Sequence, residues 1–240
     1  MAQPMTVDEF NEYDSYTVQD WEKMWNDGQL GSMTSKFHPM MVKFHEMIIQ
    51  ADRHNRVFVP LCGNSLDLLW LARKGCSVVG SECVAFACQN FFTENQIPYE
   101  IRALDGIDGN VYCSKDEKLD IRIFQCDHYQ LSPRIVGYPL DSVWDRGAFN
   151  SVPMKRRAEY VQHMSTLLTS SATVLVAVSE YEIVSEGDAN HDIPTAEEGI
   201  YIAFKPLASV ELIERSITER HEFENQVMEV GEILFKVKFN

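Results

Sequence analysis

Arg56-Val57-Phe58-Val59-Pro60-Leu61-Cys62-Gly63-Asn64-Ser65-Leu66-Asp67-Leu68-Leu69-Trp70-Leu71-Ala72-Arg73-Lys74-Gly75-Cys76-Ser77-Val78-Val79-Gly80-Ser81-Glu82 is the stretch that decides the fold. Its first five residues form a short β-branched and aromatic run, closed by Pro60, that reads as a strand. Leu61-Cys62-Gly63 is the turn. Asn64 is placed to cap a helix with Asp67 at its third position, and Gly75 is placed to end it. The intervening Leu66, Leu68, Leu69, Trp70, Leu71 and Ala72 make that helix apolar on nearly every side, the pattern of a buried helix. Cys76 to Gly80 is the next strand, ending in Ser81-Glu82, and a helix is expected over 84–95. Strand, helix and strand at this spacing form a βαβ unit, which requires a parallel pair and a right-handed crossover.

Outward from that unit, the pattern continues on both sides. Thr17 with Asp20 reads as a capping box opening a helix through Asn26, with Trp21, Met24 and Trp25 on one side. A second helix is expected from about His38 to Ala51, with Met41, Phe44, Ile48 and Ile49 at helical spacing. Residues 1–16 are polar and acidic and are expected to be mobile without ligand. Downstream, 99–126 reads as short strands, with a hairpin of Val111–Ser114 and Leu119–Gln125. Asp141 to Trp144 reads as a strand leading into a helix over 153–168, with Met154, Ala158, Val161, Met164 and Leu168 as its stripe. Thr173 to Val178 is another strand, and Thr195 with Glu198 is a second capping box. The tail alternates through Val210, Leu212, Ile217, Ile233, Phe235, Val237 and Phe239, as two terminal antiparallel strands would. A single α/β domain over 1–240 is expected, its sheet core at 56–240.

Composition narrows the function. The 240 residues carry a formal charge of −15, which excludes the basic stripe of a nucleic-acid binder and disfavours an anionic membrane surface. Lys155-Arg156-Arg157 is the only basic run and reads as a solvated helix face. No run approaches the ~18 apolar residues of a membrane span, and no secretory signal opens the chain. The six cysteines include no CxxC and fall mostly in apolar segments, as reduced core thiols of a cytoplasmic protein do. No close Cys or His pairs have the spacing of a metal site.

In an open α/β sheet the ligand lies outside the carboxyl ends of the strands. Leu61-Cys62-Gly63-Asn64 follows the first strand, with a small residue where a ligand could approach. Glu82 ends the second strand, where a carboxylate can accept both ribose hydroxyls of an adenosine. Asp127-His128 follows a later strand and can meet an adenine edge. The first loop lacks GxGxxG, so a ligand with ribose but no pyrophosphate fits better than NAD.

Val59-Pro60-Leu61-Cys62-Gly63, Gly80-Ser81-Glu82, Phe91-Phe92-Thr93-Glu94 and Trp144-Asp145-Arg146-Gly147-Ala148 closely resemble the thiopurine S-methyltransferase family. Trp21 and Trp25, Gly28, Phe37-His38 and Glu219-Arg220-His221 extend the resemblance from about Trp21 to the C-terminus. The resemblance implies a Rossmann-like class I methyltransferase with a seven-stranded, mostly parallel sheet, helices on both faces, and an N-terminal helical lid over 17–51. It implies S-adenosyl-L-methionine as cofactor, with S-adenosyl-L-homocysteine as product. By the same resemblance Trp21, Trp25 and Phe37 enclose the cofactor, Leu61 and Gly63 flank its methionine part, and Glu82 holds its ribose. Asp127 and His128 match the adenine-contacting pair in position but not in residue type. Arg146 lies beside the sulfonium and the acceptor as the catalytic residue, and Phe37, Arg146 and Arg220 meet the acceptor. A monomer acting on a small molecule is expected, with no nucleic-acid or membrane partner.

The sequence departs from the family in two loops. Tyr181 to Pro194 replaces a proline-rich acceptor loop and brings four acidic side chains, which favour a cationic or neutral acceptor. The loop between Trp25 and Phe37 is longer than is usual. The readings that compete with an aromatic or heterocyclic thiol are a halide, thiocyanate or selenium acceptor on the same fold, a non-catalytic nucleoside-binding regulator, and a nicotinamide oxidoreductase. His38 reads as a cap or surface residue.

Overall fold

A computed structural model describes residues 17–28, 36–183, 195–223 and 226–240, the side chains of 181–183 and 218–229 excepted. The expectations for residues 1–16, for 29–35 in the loop between Trp25 and Phe37, and for 184–194 lie outside the described residues.

The chain enters through α1 (Val18–Asn26), whose Thr17 and Asp20 do form the reciprocal capping box. The helix expected over 38–51 is shorter, an α-helix α2 (Pro39–Phe44) followed by a 3-10 turn at His45–Met47. Next come β1 (Arg56–Val59), α3 (Asp67–Arg73), β2 (Ser77–Glu82) and α4 (Ala85–Glu94). Asn64 does not cap α3. Its side chain reaches Glu94 instead, at 3.4 Å, and Asp67 serves tertiary contacts. Then follow β3 (Tyr99–Ala103), β4 (Asn110–Ser114), β5 (Ile121–Gln125), the short α5 (Pro133–Val136), β6 (Leu140–Arg146) and α6 (Ala148–Ser151). The chain ends with α7 (Arg157–Thr166), β7 (Leu168–Ile183), α8 (Ala196–Phe204), β8 (Ala208–Phe223) and β9 (Gln226–Phe239).

The strands of the described residues join one nine-stranded sheet in the order β3-β4-β5-β2-β1-β6-β7-β9-β8. This corrects the expected seven. The run from β5 through β2, β1 and β6 to β7 is parallel, and β9 and β8 close one side antiparallel. The two extra strands come from the β3–β4 hairpin, which pairs antiparallel onto β5 and moves the sheet's edge outward. Alternation decides which side of the sheet each residue serves. Phe58, Val79, Val143, Val176 and Phe235 face Tyr160, Val161 and Met164 of α7 and Ile200 and Phe204 of α8. Val57, Val59, Val78, Trp144, Leu175 and Leu234 face Met41 of α2, Leu68 and Leu71 of α3 and Phe91 of α4. Helices therefore cover both faces. On α7 the buried stripe is Tyr160, Val161 and Met164; of the expected stripe, Met154 is exposed in the 3-10 turn before the helix, and Ala158 lies on the helix's outer side.

Candidate active site

The strand order reverses between β1 and β6, so a crevice opens at their carboxyl ends. Leu61 there has a left-handed backbone (φ 42°), unusual for a branched residue, and Gly63 follows at φ 51°. The turn is tied down by Cys62 N–H to the Ser81 carbonyl at 2.8 Å and by Leu61 N–H to Ser81 Oγ at 3.1 Å. Gly80 lets the loop sit this low, since a Cβ on it would lie 2.7 Å from Cys62 Sγ.

Glu82 ends β2 with a side chain only 7% exposed. Its Oε2 accepts Gly63 N–H at 2.9 Å and its Oε1 accepts Val84 N–H at 2.8 Å. Burial pushes its carboxyl up from the usual range, and these two bonds oppose the rise. Cys83 adds further hydrogen bonds to the same carboxylate, which is therefore held firmly in place at the strand end. Above the loop, Trp25 of α1 lies so close that a Cβ on Gly63 would meet its ring at 3.1 Å. Trp25 is buried against Val84 and Ala87, and Trp21 packs on the edge of the same small cluster. Trp25, Gly63 and Glu82, distant in sequence, thus come together.

Asp127 and His128 follow β5 on the same edge. Asp127 is exposed and caps the 3-10 turn His128–Gln130 by accepting Tyr129 N–H at 3.0 Å. His128 turns inward. Its ring stacks on Phe58 with centroids 5.9 Å apart, Nδ1 meets Ser81 Oγ at 3.0 Å, and burial pulls its pKa down to about 3. An adenine contact at His128 would therefore come from its main chain.

At the end of β6 the side chains of Trp144, Asp145 and Arg146 alternate between faces. Trp144 donates through Nε1 to Asp67 Oδ2 at 2.8 Å. Asp145, fully buried on the other face, accepts the Tyr160 hydroxyl at 2.7 Å and Phe149 N–H at 3.1 Å, and burial pushes it up to about 6. Arg146 does not pair with its neighbour Asp145. It faces Glu232 of β9, with Nε 3.8 Å from Oε1, and its side chain is 27% exposed.

Sequence reasoning missed Glu232 and undervalued His38. His38 is 4% exposed, its main-chain N–H donates to Asp67 Oδ1 at 2.8 Å, and its Nε2 lies 3.1 and 3.0 Å from the two oxygens of Glu232. One readable signal existed. Glu232 shares its alternation with the inward Leu234, so an acid stands on a core-facing register. Phe37 is half-buried against the cluster on that face. Arg220 pairs with Glu229 in the β8–β9 hairpin, and its side chain is outside the described residues.

The reversed parallel sheet, closed antiparallel at one side and with a carboxylate ending β2, is a fold shared with class I, S-adenosylmethionine-dependent methyltransferases. The chain belongs to the thiopurine S-methyltransferase family, which matches it over residues 16–234. It is 32% identical to the thiopurine S-methyltransferase of Psychrobacter cryohalolentis over 66% of this chain and 72% of that one. It is 30% identical to that of Methylococcus capsulatus over 80% and 83%. Among solved structures, magnesium protoporphyrin IX methyltransferase from Synechocystis with bound S-adenosylmethionine shares the fold at a TM-score of 0.56 and 12% identity, covering 94% of this chain and 97% of that one. A protein from the conversion of a disulfide bond into a thioacetal group during echinomycin biosynthesis shares it at 0.59 and 15%, covering 91% and 93%.

Proposed function

We propose that this enzyme transfers the methyl group of S-adenosylmethionine to the sulfur of a small aromatic or heterocyclic thiol. The observation that carries the reading is one edge of the sheet, where Trp25 lies on the Gly63 turn, Glu82 accepts the N–H of that same turn, and Arg146 ends β6. Glu82 would accept the ribose hydroxyls, and Leu61 and Gly63 would line the methionine part. Asp127 and the main chain of His128 would border the adenine. The cofactor supplies a methyl already activated on a sulfonium, so the chain's own residues need to align the acceptor more than to activate it. The Arg146 guanidinium favours the anionic form of a nearby thiol by its opposite charge. Phe37 would bound the acceptor, and Arg220 would bring a second positive charge. Residues 17–51 would act as a lid that keeps water out while charge separation is lost.

The same reading takes 1–240 as one domain, working as a cytoplasmic monomer on a small molecule, with neither nucleic acid nor membrane as partner. No helix among the described residues is long and apolar enough to cross a membrane. The test is a methyl-transfer assay across aromatic thiols, aliphatic thiols, selenols, iodide and thiocyanate. Aromatic or heterocyclic thiols are expected to give the highest kcat/KM. Efficient methylation of iodide or thiocyanate with no turnover of aromatic thiols would overturn the acceptor, and cofactor binding without any turnover would make the protein a nucleoside-binding regulator.

A further inference from the structure

Glu232 places a carboxylate beside the one arginine that ends a central strand. Register puts the two on one face of the sheet, since Arg146 pairs with Ala177 of β7 and Glu232 pairs with Ser179, two residues further on. That is the face covered by α2 and α3, and both side chains stay partly open, at 27% for Arg146 and 17% for Glu232. Behind them His38, at 4%, holds the carboxylate through Nε2, and Asp67 holds the His38 main chain. Burial raises the Glu232 carboxyl, but the His38 hydrogen bond and Arg146 more than offset this and keep it below the usual range. An ionised carboxylate has about four lone-pair sites. His38 Nε2 sits between its two oxygens and Arg146 stands off with Nε at 3.8 Å, so the outward side of the 17% exposed carboxylate and the 27% exposed guanidinium face solvent together.

A simple thiolate has no use for that carboxylate, which repels it and dilutes the arginine's charge. An acceptor with a donor next to its sulfur does. We propose that Glu232 is a specificity-determining residue that recognises the ring N–H adjacent to C=S in a heterocyclic thione, while Arg146 faces the sulfur. The inference rests on the thiol-acceptor reading above and adds to it the residue that reads the acceptor's ring N–H. It also gives the proton a route. As the S–CH3 bond forms and the donor's C–S bond breaks, the C=S bond becomes C–S. The N–H electron pair becomes the ring C=N, and the proton passes to Glu232 and on to water. His38 is the positioning residue that keeps the carboxylate turned to the acceptor.

The experiment compares pyridine-2-thione, which has the ring N–H, with benzenethiol, which lacks it, in wild type and Glu232→Gln. Cofactor affinity of both proteins is measured alongside by calorimetry. Losing the anionic acceptor for the N–H should lower kcat/KM for the thione roughly 10-fold or more. The same change should hold or raise kcat/KM for benzenethiol, because the arginine's charge is no longer opposed. Opposite directions on two acceptors cannot come from misfolding. Equal losses on both, with cofactor affinity kept, overturn the inference and leave the acceptor reading standing. A wild type that binds cofactor and methylates neither compound removes the acceptor reading and this inference with it.

Discussion

Both oxygens of Glu82 already accept a main-chain N–H, so the carboxylate is aimed before any ligand arrives. Such preorganisation makes the side chain worth more to a ligand than a free surface acid. Glu82→Gln keeps the shape but replaces one acceptor with a donor that opposes Gly63 N–H or Val84 N–H. It should weaken S-adenosylhomocysteine binding by about 1–3 kcal/mol, a loss of roughly 5- to 150-fold by calorimetry. Unchanged affinity would remove the ribose role. At this scale the sequence was legible where a residue sits at a strand end beside a turn, as Gly63 and Glu82 do. It offered only the core-facing register of Glu232 and nothing for His38, because the two lie far apart in the chain and meet only when β9 comes to lie beside β7. It also misassigned Asn64, whose local capping option lost to a tertiary contact with Glu94.

Among the elements, α1 is the one whose role the packing leaves most conditional. It has nine residues, a length at which an isolated helix is marginal in water even with a capping box. Among the described residues its apolar contacts are Trp25 against Val84, Ala87 and the Gly63 turn, with Trp21 and Cys83 beside it. A helix held by so small a cluster opens at little cost, and a ligand that fills the crevice beneath Trp25 would close it. Amide exchange over Val18–Asn26 should therefore slow when S-adenosylhomocysteine is added, while the buried strands β1 and β2 change little. No change in α1 would make its tryptophans ordinary packing and end the lid reading. The capping box and the amphipathic tryptophans made this helix legible. The β3 strand was less so, because most of it is exposed on the sheet's edge and it carries no inward alternation to read.

For the whole molecule, the parallel centre was predictable from one βαβ unit and the handedness of its crossover, while the total of nine strands depended on where a surface hairpin attached. The same architecture stores a pH response in its core. Asp145 lies on the α7 side of β6, fully buried, and is pushed up from 3.8 to about 6 mainly by burial, which outweighs the bonds from Tyr160 and Phe149. A carboxyl whose pKa is higher folded than unfolded binds its proton more tightly in the native state. Its contribution to stability is fully present below about pH 4 and is lost as the pH rises through about 6. A difference of that size corresponds to on the order of 3 kcal/mol. Asp145→Asn removes the titration while keeping an oxygen for Phe149 N–H and offering an NH2 that the Tyr160 hydroxyl can accept. Other groups, including the excess of acids behind the −15 charge, titrate alike in both proteins and cancel in the difference. Urea unfolding from pH 4 to 7.5 should then show the variant gaining on wild type by up to about 3 kcal/mol, with the gain appearing between roughly pH 4 and 6. Parallel curves would mean that Asp145 stays ionised throughout, and that the Tyr160 and main-chain bonds outweigh its burial.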